Sequence, residues 1–245
     1  MIARYRYVVI GLITLVVGLV ALFPARVAYH WFAPPGIAIS GIDGTVWHGR
    51  ADAAVTSGLY VSNLDWTMRP LALFTGKIGY GIEAEAPSGF LKADVTLGAG
   101  GHIALSDLTA SVSLESLQQV VRMPGLTGTM NLRFDRLNLE NGLPVAADGI
   151  VEISNLRAPI VNRAPIGGFR AEFFTQETGV VASVEDTNAK LELAGSLSIS
   201  PDRSYEFIGL VAPKDDTPAD MREQMRFLGT ANERGQYEVR LQGRL

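Results

Sequence analysis

The sequence contains no cysteine, so it can form neither a disulfide framework nor a thiolate metal site. Its three histidines, His30, His48 and His102, are widely separated, which leaves metal chemistry without a ligand set and makes them ordinary solvated or packed side chains. A G-x-S-x-G nucleophile elbow and a P-loop lysine motif are also missing, so nucleophilic and phosphoryl-transfer chemistry have no anchor. The chain carries 21 basic and 25 acidic residues, and aromatics at 8 % are not interleaved with cations. It has no basic stripe to neutralise phosphates, and no nucleic-acid partner is expected. With 47 % hydrophobic residues over 245 positions it is not a disordered chain, and one large β-rich domain can use the whole length.

Acid is also absent from the N-terminus, where nothing negative precedes Asp43. Arg4 and Arg6 stand before an uncharged run at 8–23, whose apolar positions include Val8, Ile10, Leu12, Leu15, Val17, Leu19, Leu22 and Phe23. At about 1.5 Å per residue this run extends roughly 24 Å, a little less than the hydrocarbon core of a bilayer. Tyrosines before it and Tyr29, Trp31 and Phe32 after it suit the headgroup level. A cleaved signal peptide would end in small residues at -3 and -1; cutting after Ala25 or Ala28 places Phe23 or Arg26 at -3. The reading is therefore an uncleaved, single-pass anchor: 1–7 cytoplasmic, 8–23 a transmembrane helix, and 24–36 a stiff proline-containing spacer that does not continue a regular helix. Residues 37–245 are the exported domain, and its net charge is more acidic than the -4 of the whole chain because Arg4, Arg6 and Arg26 lie outside it.

From Ile37 onward, short runs of period-two alternation recur between Gly, Pro, Asn and Asp, as in an antiparallel sheet with one buried face. Three begin with a glycine: Gly128 leads into Met130, Leu132 and Phe134, Gly149 into Val151 and Ile153, and Gly195 into Leu197 and Ile199. Further strands are expected at 37–47, 50–56, 59–68, 77–86, 90–98, 102–113, 136–140, 168–175, 179–185, 189–194, 204–211 and 236–244. Helical segments are expected at 70–75, at 114–122 and at 217–228, the last with Thr217 as cap and Pro218 at the first helical position. They can close an end or edge of the sheet.

The remaining candidate motifs have plain structural readings. Gly79, Gly81 and Ala84 spell a dinucleotide loop, but the alternation continues as a strand and Pro87 forbids the required helix, so the glycines suit a bend or bulge. Glu83 and Glu85 share a strand face, which is most simply a solvated one. Asp215 and Asp216 precede a helix whose N-terminus favours negative charge. Trp47 and Trp66 fit core packing with the indole N–H satisfied, the other reading being a partner anchor. Along 217–228, Met221, Met225 and Phe227 are candidate partner contacts on an exposed helix.

The segments GIDGTVWHGRA at 41–51 and LDWTMRPLAL at 64–73 are similar to the two N-terminal signatures of the type II secretion system protein N family. GLPV at 142–145, NLRAP at 155–159, PIGGF at 165–169, the stretch 186–195 and GRL at 243–245 follow in the order that family shows. The resemblance covers nearly the whole chain, each motif being weak alone and specific in combination. It implies a bitopic component of the cell inner membrane of a Gram-negative bacterium. Its periplasmic domain would help assemble or steady the apparatus that exports folded proteins across the outer membrane. No catalytic residues, metal or cofactor are implied; partners are other type II secretion proteins and the inner membrane. Gly44, Trp47, Gly49, Trp66, Arg69 and Pro70 are the family-motif positions, with structural roles. The family also resembles AsmA-like envelope proteins, which implies a mainly β fold: a strongly curved antiparallel sheet, as a groove or open barrel, with a few short helices. The alternative function it implies is a periplasmic lipid-binding or lipid-transfer module, with Leu132 and Ile153 facing the lipid.

Overall fold

Alternating apolar and polar residues gather their apolar side chains on one face when strands pair edge to edge, and here they do so in a single sheet. The computed structural model describes residues 2–32, 36–56, 59–86, 88–118, 123–159 and 165–244. Its strands are β1 (Ile37–Ser40), β2 (Asp43–Gly44), β3 (His48–Thr56), β4 (Leu59–Arg69), β5 (Ile78–Ala86), β6 (Gly89–Leu97) and β7 (His102–Ser113). They continue as β8 (Thr127–Glu140), β9 (Leu143–Arg157), β10 (Gly167–Gln176), β11 (Gly179–Asp186), β12 (Leu191–Ile199), β13 (Ser204–Pro213) and β14 (Tyr237–Arg244). From β3 onward each strand pairs antiparallel with the next, while β1 and β2 share the free side of β3. β1 and β14 do not pair, so the 14-stranded sheet is open.

The glycine-led pattern holds in three dimensions: Met130 and Leu132 on β8 stand opposite Ile153 and Val151 on β9. Ala93, Leu108, Phe134, Ala147 and Val180, from β6 to β11, form one buried cluster, with the Phe134 and Phe173 rings 5.6 Å apart. A second cluster joins Leu114, Leu126, Ala158 and Ile166 to Met221 of helix α3 (Ala219–Met225) and fills one end. α1 (Ile2–Ala21) and α2 (Ala25–Phe32) precede the sheet, and a third cluster ties Ala25 of α2 to Ile42 and Ala51.

Several expectations change. The spacer at 24–36 is not free of helix: Pro24 ends α1, then accepts N–H bonds from Val27 and Ala28 at 3.1 and 3.2 Å to start α2. The run at 8–23 lies in a helix that begins earlier and stops at Ala21, with Arg4 and Arg6 in its opening turns. No helix among the described residues is long and apolar enough to cross a membrane. The strand expected at 37–47 divides at Gly41. Those expected at 128–134 and 136–140 are one strand, β8, with a register shift between Phe134 and Arg136. β9 starts earlier than Gly149, since Pro144 sits where the β8 and β9 registers shift and so does not end the strand. The helix expected at 114–122 is a 3₁₀ turn, Leu114–Leu117, and 119–122 lie outside the described residues. The turn expected at 70–75 is present as a 3₁₀ turn, Pro70–Thr75.

Candidate functional site

The signature residues at 41–51 and 64–70 converge where the N-terminal helices meet the sheet. At the end of α1 the Val20 carbonyl accepts the Phe23 N–H at 3.3 Å and also the Trp47 indole N–H at 2.8 Å. The Val46 N–H bonds the Phe23 carbonyl at 3.1 Å, and Pro24 makes an isolated bridge to Thr45. Thr45 holds the turn that follows: its hydroxyl accepts from the N–H groups of Trp47 and His48, and its carbonyl accepts the Trp66 indole N–H at 3.1 Å. Both indoles are half-buried with their donors satisfied, as core packing requires.

Gly49 has to be glycine, because a Cβ there would lie 2.4 Å from the Trp66 ring and 2.5 Å from the Asp43 carbonyl. Gly44 has φ near +91° and a Cβ would meet the His48 carbonyl at 2.6 Å. Arg69 pairs with Asp94 of β6, and Pro70 opens the 3₁₀ turn beside it. On α2, Arg26 donates to the Ile42 carbonyl and pairs with Asp43 at 2.8 Å. The Tyr29 hydroxyl donates to the Ile37 carbonyl at 2.9 Å and accepts the Ile39 N–H at 3.1 Å. These are alternate residues of β1, so one side chain takes two of the outward backbone groups of that edge.

Beneath α2 lies an apolar pocket of about 270 Å³, lined by Ala25, Ala28, Tyr29, Leu64, Trp66, Tyr80 and Ile82 among others. Burial pushes the Tyr80 hydroxyl above its ordinary pKa, as an apolar surrounding should. The apolar side chains of α1 are turned outward: Ile10, Leu12, Leu15, Val17 and Leu19, and Leu22 just beyond the helix, are each more than half exposed, and the Phe23 ring packs 5.8 Å from Trp31. The side chain of Val8 lies outside the described residues.

A second joint gathers the motif residues at 165–169 and 186–195. The Ile166 N–H bonds the Leu156 carbonyl at 2.8 Å and its carbonyl accepts the Lys190 N–H at 2.8 Å. Lys214 pairs with Asp186, which is nearly buried and also accepts the Leu193 N–H at 2.9 Å. Thr217 is buried, and this corrects its expected role as cap: its hydroxyl donates to the Lys190 carbonyl and accepts the Lys214 N–H, while Pro218 takes the cap position of α3. Asp216 is held below the usual carboxylate range by its hydrogen bond from Lys190. Met221 and Met225 are only 4 % exposed, so they are core and not partner contacts; α3 turns its apolar side inward. Phe227, just beyond α3, is 86 % exposed.

The other candidates sit apart from both joints. Gly79 and Gly81 lie inside β5 with continuous register to β6, so the bulge they were expected to permit is instead on β4 between Ser62 and Asp65. Gly79 instead lets Ala72 of the 3₁₀ turn approach. Glu83 pairs with Lys92 at 2.6 Å and Glu85 accepts from Asn63 at 2.6 Å, both at the surface. Among the described residues no group of three or more His, Asp or Glu could hold a metal ion. Sequence reasoning gave Tyr29 a place at headgroup level and missed its bonds to β1, and it missed Lys214, whose partner Asp186 is remote in the chain and leaves no local pattern.

A family model described as type II secretion system (T2SS), protein N, matches residues 35–240. A type II secretion system protein N of Vibrio cholerae is 25 % identical over 240 residues, covering 94 % of this chain and 94 % of that protein. The protein of the same description from Aeromonas hydrophila is 23 % identical over 234 residues, covering 93 % and 92 %. One from Pectobacterium carotovorum is 29 % identical over 126 residues, covering 42 % of this chain and 50 % of that protein. No solved structure matches.

Proposed function

The chain belongs to the type II secretion system protein N family, and on that premise we propose that it is a non-catalytic component of a type II secretion apparatus, acting by tethering. The family match at 35–240, which spans the sheet from β1 into β14, carries this reading. The N-terminal segment anchors the chain at the inner membrane of a Gram-negative bacterium, with Arg4 and Arg6 on the cytoplasmic side and the sheet in the periplasm. Its support is the exposed apolar surface of α1 and the arginines before it; a short apolar run is accommodated by local bilayer thinning and snorkelling flanks. The helix-to-sheet joint built by Trp47, Trp66 and Tyr29 then holds the sheet close to the bilayer. Confinement to that layer raises its effective concentration toward other secretion components in the same membrane.

The test is mass spectrometry of the full-length protein gently solubilised from its native membrane. Other type II secretion proteins should be recovered with it; their absence would overturn the reading. Phe227→Asp, at the exposed aromatic beyond α3, should lower that recovery while leaving the thermal midpoint unchanged.

A second reading is favoured by the pocket beneath α2: a periplasmic lipid module that takes an acyl chain there. Leu132 and Ile153 are unsuited to that role because they pack in the sheet's own clusters. A phospholipid retained by the purified protein, and lost in Ile82→Gln, would favour this reading; a lipid-free preparation would remove it.

A further inference from the structure

The two outer strands leave different things unpaired. On β13 the Ser204 carbonyl accepts the Ser200 N–H at 2.9 Å, so Ser204 faces β12. The residues bonded across to β14 are therefore Tyr205, Phe207, Gly209 and Val211, opposite Gly243, Leu241, Val239 and Tyr237. It follows that Glu238, Arg240, Gln242 and Arg244 turn their N–H and C=O groups away from the sheet. Among the described residues no backbone group takes them, in contrast to Ile37 and Ile39 on β1, which Tyr29 occupies. The other face of β14 presents Leu241, 57 % exposed on a strand with solvent beside it.

We propose that the β14 edge is a self-association surface, at which a second copy of this chain adds its own β14 in antiparallel register about a two-fold axis through Leu241. The side-chain pattern selects this occupant and this register. With Leu241 on the axis, Glu238 stands opposite the partner's Arg244, Arg240 opposite the partner's Gln242, and Val239 opposite the partner's Gly243. Opposite charges directly across a strand pair are favourable, and the two leucines bury each other in a closely spaced, non-hydrogen-bonded pair. Moving one copy by two residues in one sense sets Arg240 against Arg240, and in the other sense sets Arg240 against Arg244; both are repulsive. The outward residues meet as hydrogen-bonded pairs, so the edge groups of each copy satisfy those of the other. Arg240 is free to turn toward the junction because its ion pairs to Glu206 and Glu238 are long, at 3.8 and 3.7 Å. The contact closes on itself, so it yields a dimer with the covered β1 edges at its two far ends.

The chain's lack of cysteine gives a direct test on the full-length protein in detergent. Leu241→Cys should form a disulfide-linked dimer under mild oxidation, since its mate's Cα lies about 4.5 Å away, within disulfide range. Glu238→Cys should not, its own mate being about 20 Å off along the strands. Gln242→Pro removes an outward N–H without touching the bonds to β13, an edge position where proline is tolerated, and should abolish the cross-link in the Leu241→Cys background. Glu238→Lys should weaken association roughly tenfold, and Glu238→Lys with Arg244→Glu should restore it. A Leu241→Cys protein that stays monomeric, a yield unaffected by Gln242→Pro, or cross-linking to a different protein in place of itself would each overturn the proposal.

Discussion

At the β1 edge Tyr29 takes the outward Ile37 carbonyl and Ile39 N–H and two indoles fasten the adjoining turn, whereas among the described residues no backbone group takes the outward groups of four residues on β14. The difference shows how an open sheet of this length handles its ends. One edge is closed from within the chain by the segment that precedes the first strand, while at the other no backbone group among the described residues takes the outward groups. Edge pairing is a hazard for any open sheet, so a bare edge that carries Glu238, Arg240 and Arg244 around a leucine has the features of a selective surface.

The comparison can be broken most forcefully at the covered edge. Gly49→Val drives a side chain into the Trp66 ring and the Asp43 carbonyl, and should cost about 3 kcal/mol or more. Hydrogen exchange should then show loss of protection across 37–56 while β9–β12 keep theirs. On the opposite side, Lys214→Met leaves the nearly buried Asp186 carboxylate without its cation; Lys214 itself is 35 % exposed, so the loss should be about 2 kcal/mol. Protection should fall over 214–228 and not at β1, and denaturant melts give the magnitude.

Tyr29→Phe sharpens the contrast more gently. It frees the Ile37 carbonyl and the Ile39 N–H at a cost of about 1 kcal/mol, and it should make the β1 edge adhesive, detectable as larger assemblies by light scattering. The smallest effect belongs to Asp148, midway between the edges. Burial by itself pushes its carboxyl up, but hydrogen bonds from Arg136 and Thr175 outweigh this and hold it below the usual carboxylate range. Its stabilisation is therefore fully present above the unfolded-state pKa of about 4 and is lost as pH falls through the lower folded-state value. Asp148→Asn should be less stable by about 1 kcal/mol or less at pH 7, and the gap should close in urea melts at strongly acidic pH.

Most of the sheet was legible in the sequence because strand formation leaves a period-two record in neighbouring residues. The Gly128-led, Gly149-led and Gly195-led runs all lie in strands with the expected faces. Legibility failed where a local sign had two meanings. Pro144 reads as punctuation yet sits inside β9, and Thr217 followed by Pro218 reads as a cap yet is a buried bridge between Lys190 and Lys214. Helical spacing placed Met221, Met225 and Phe227 together as a surface, but only Phe227 is exposed, since spacing identifies an apolar side without saying what covers it.

The sequence by itself determined the β class, the positions of most strands along the chain and the family signatures, because each is written in residues close together along the chain. Tertiary structure alone decided that the signature tryptophans serve the junction of helix and sheet, that α3 is a core element, and that one edge is covered and the other bare. Those outcomes depend on contacts such as Trp47 with Val20, Tyr29 with Ile39 and Lys214 with Asp186, whose partners lie too far apart in the chain for any local pattern to record them.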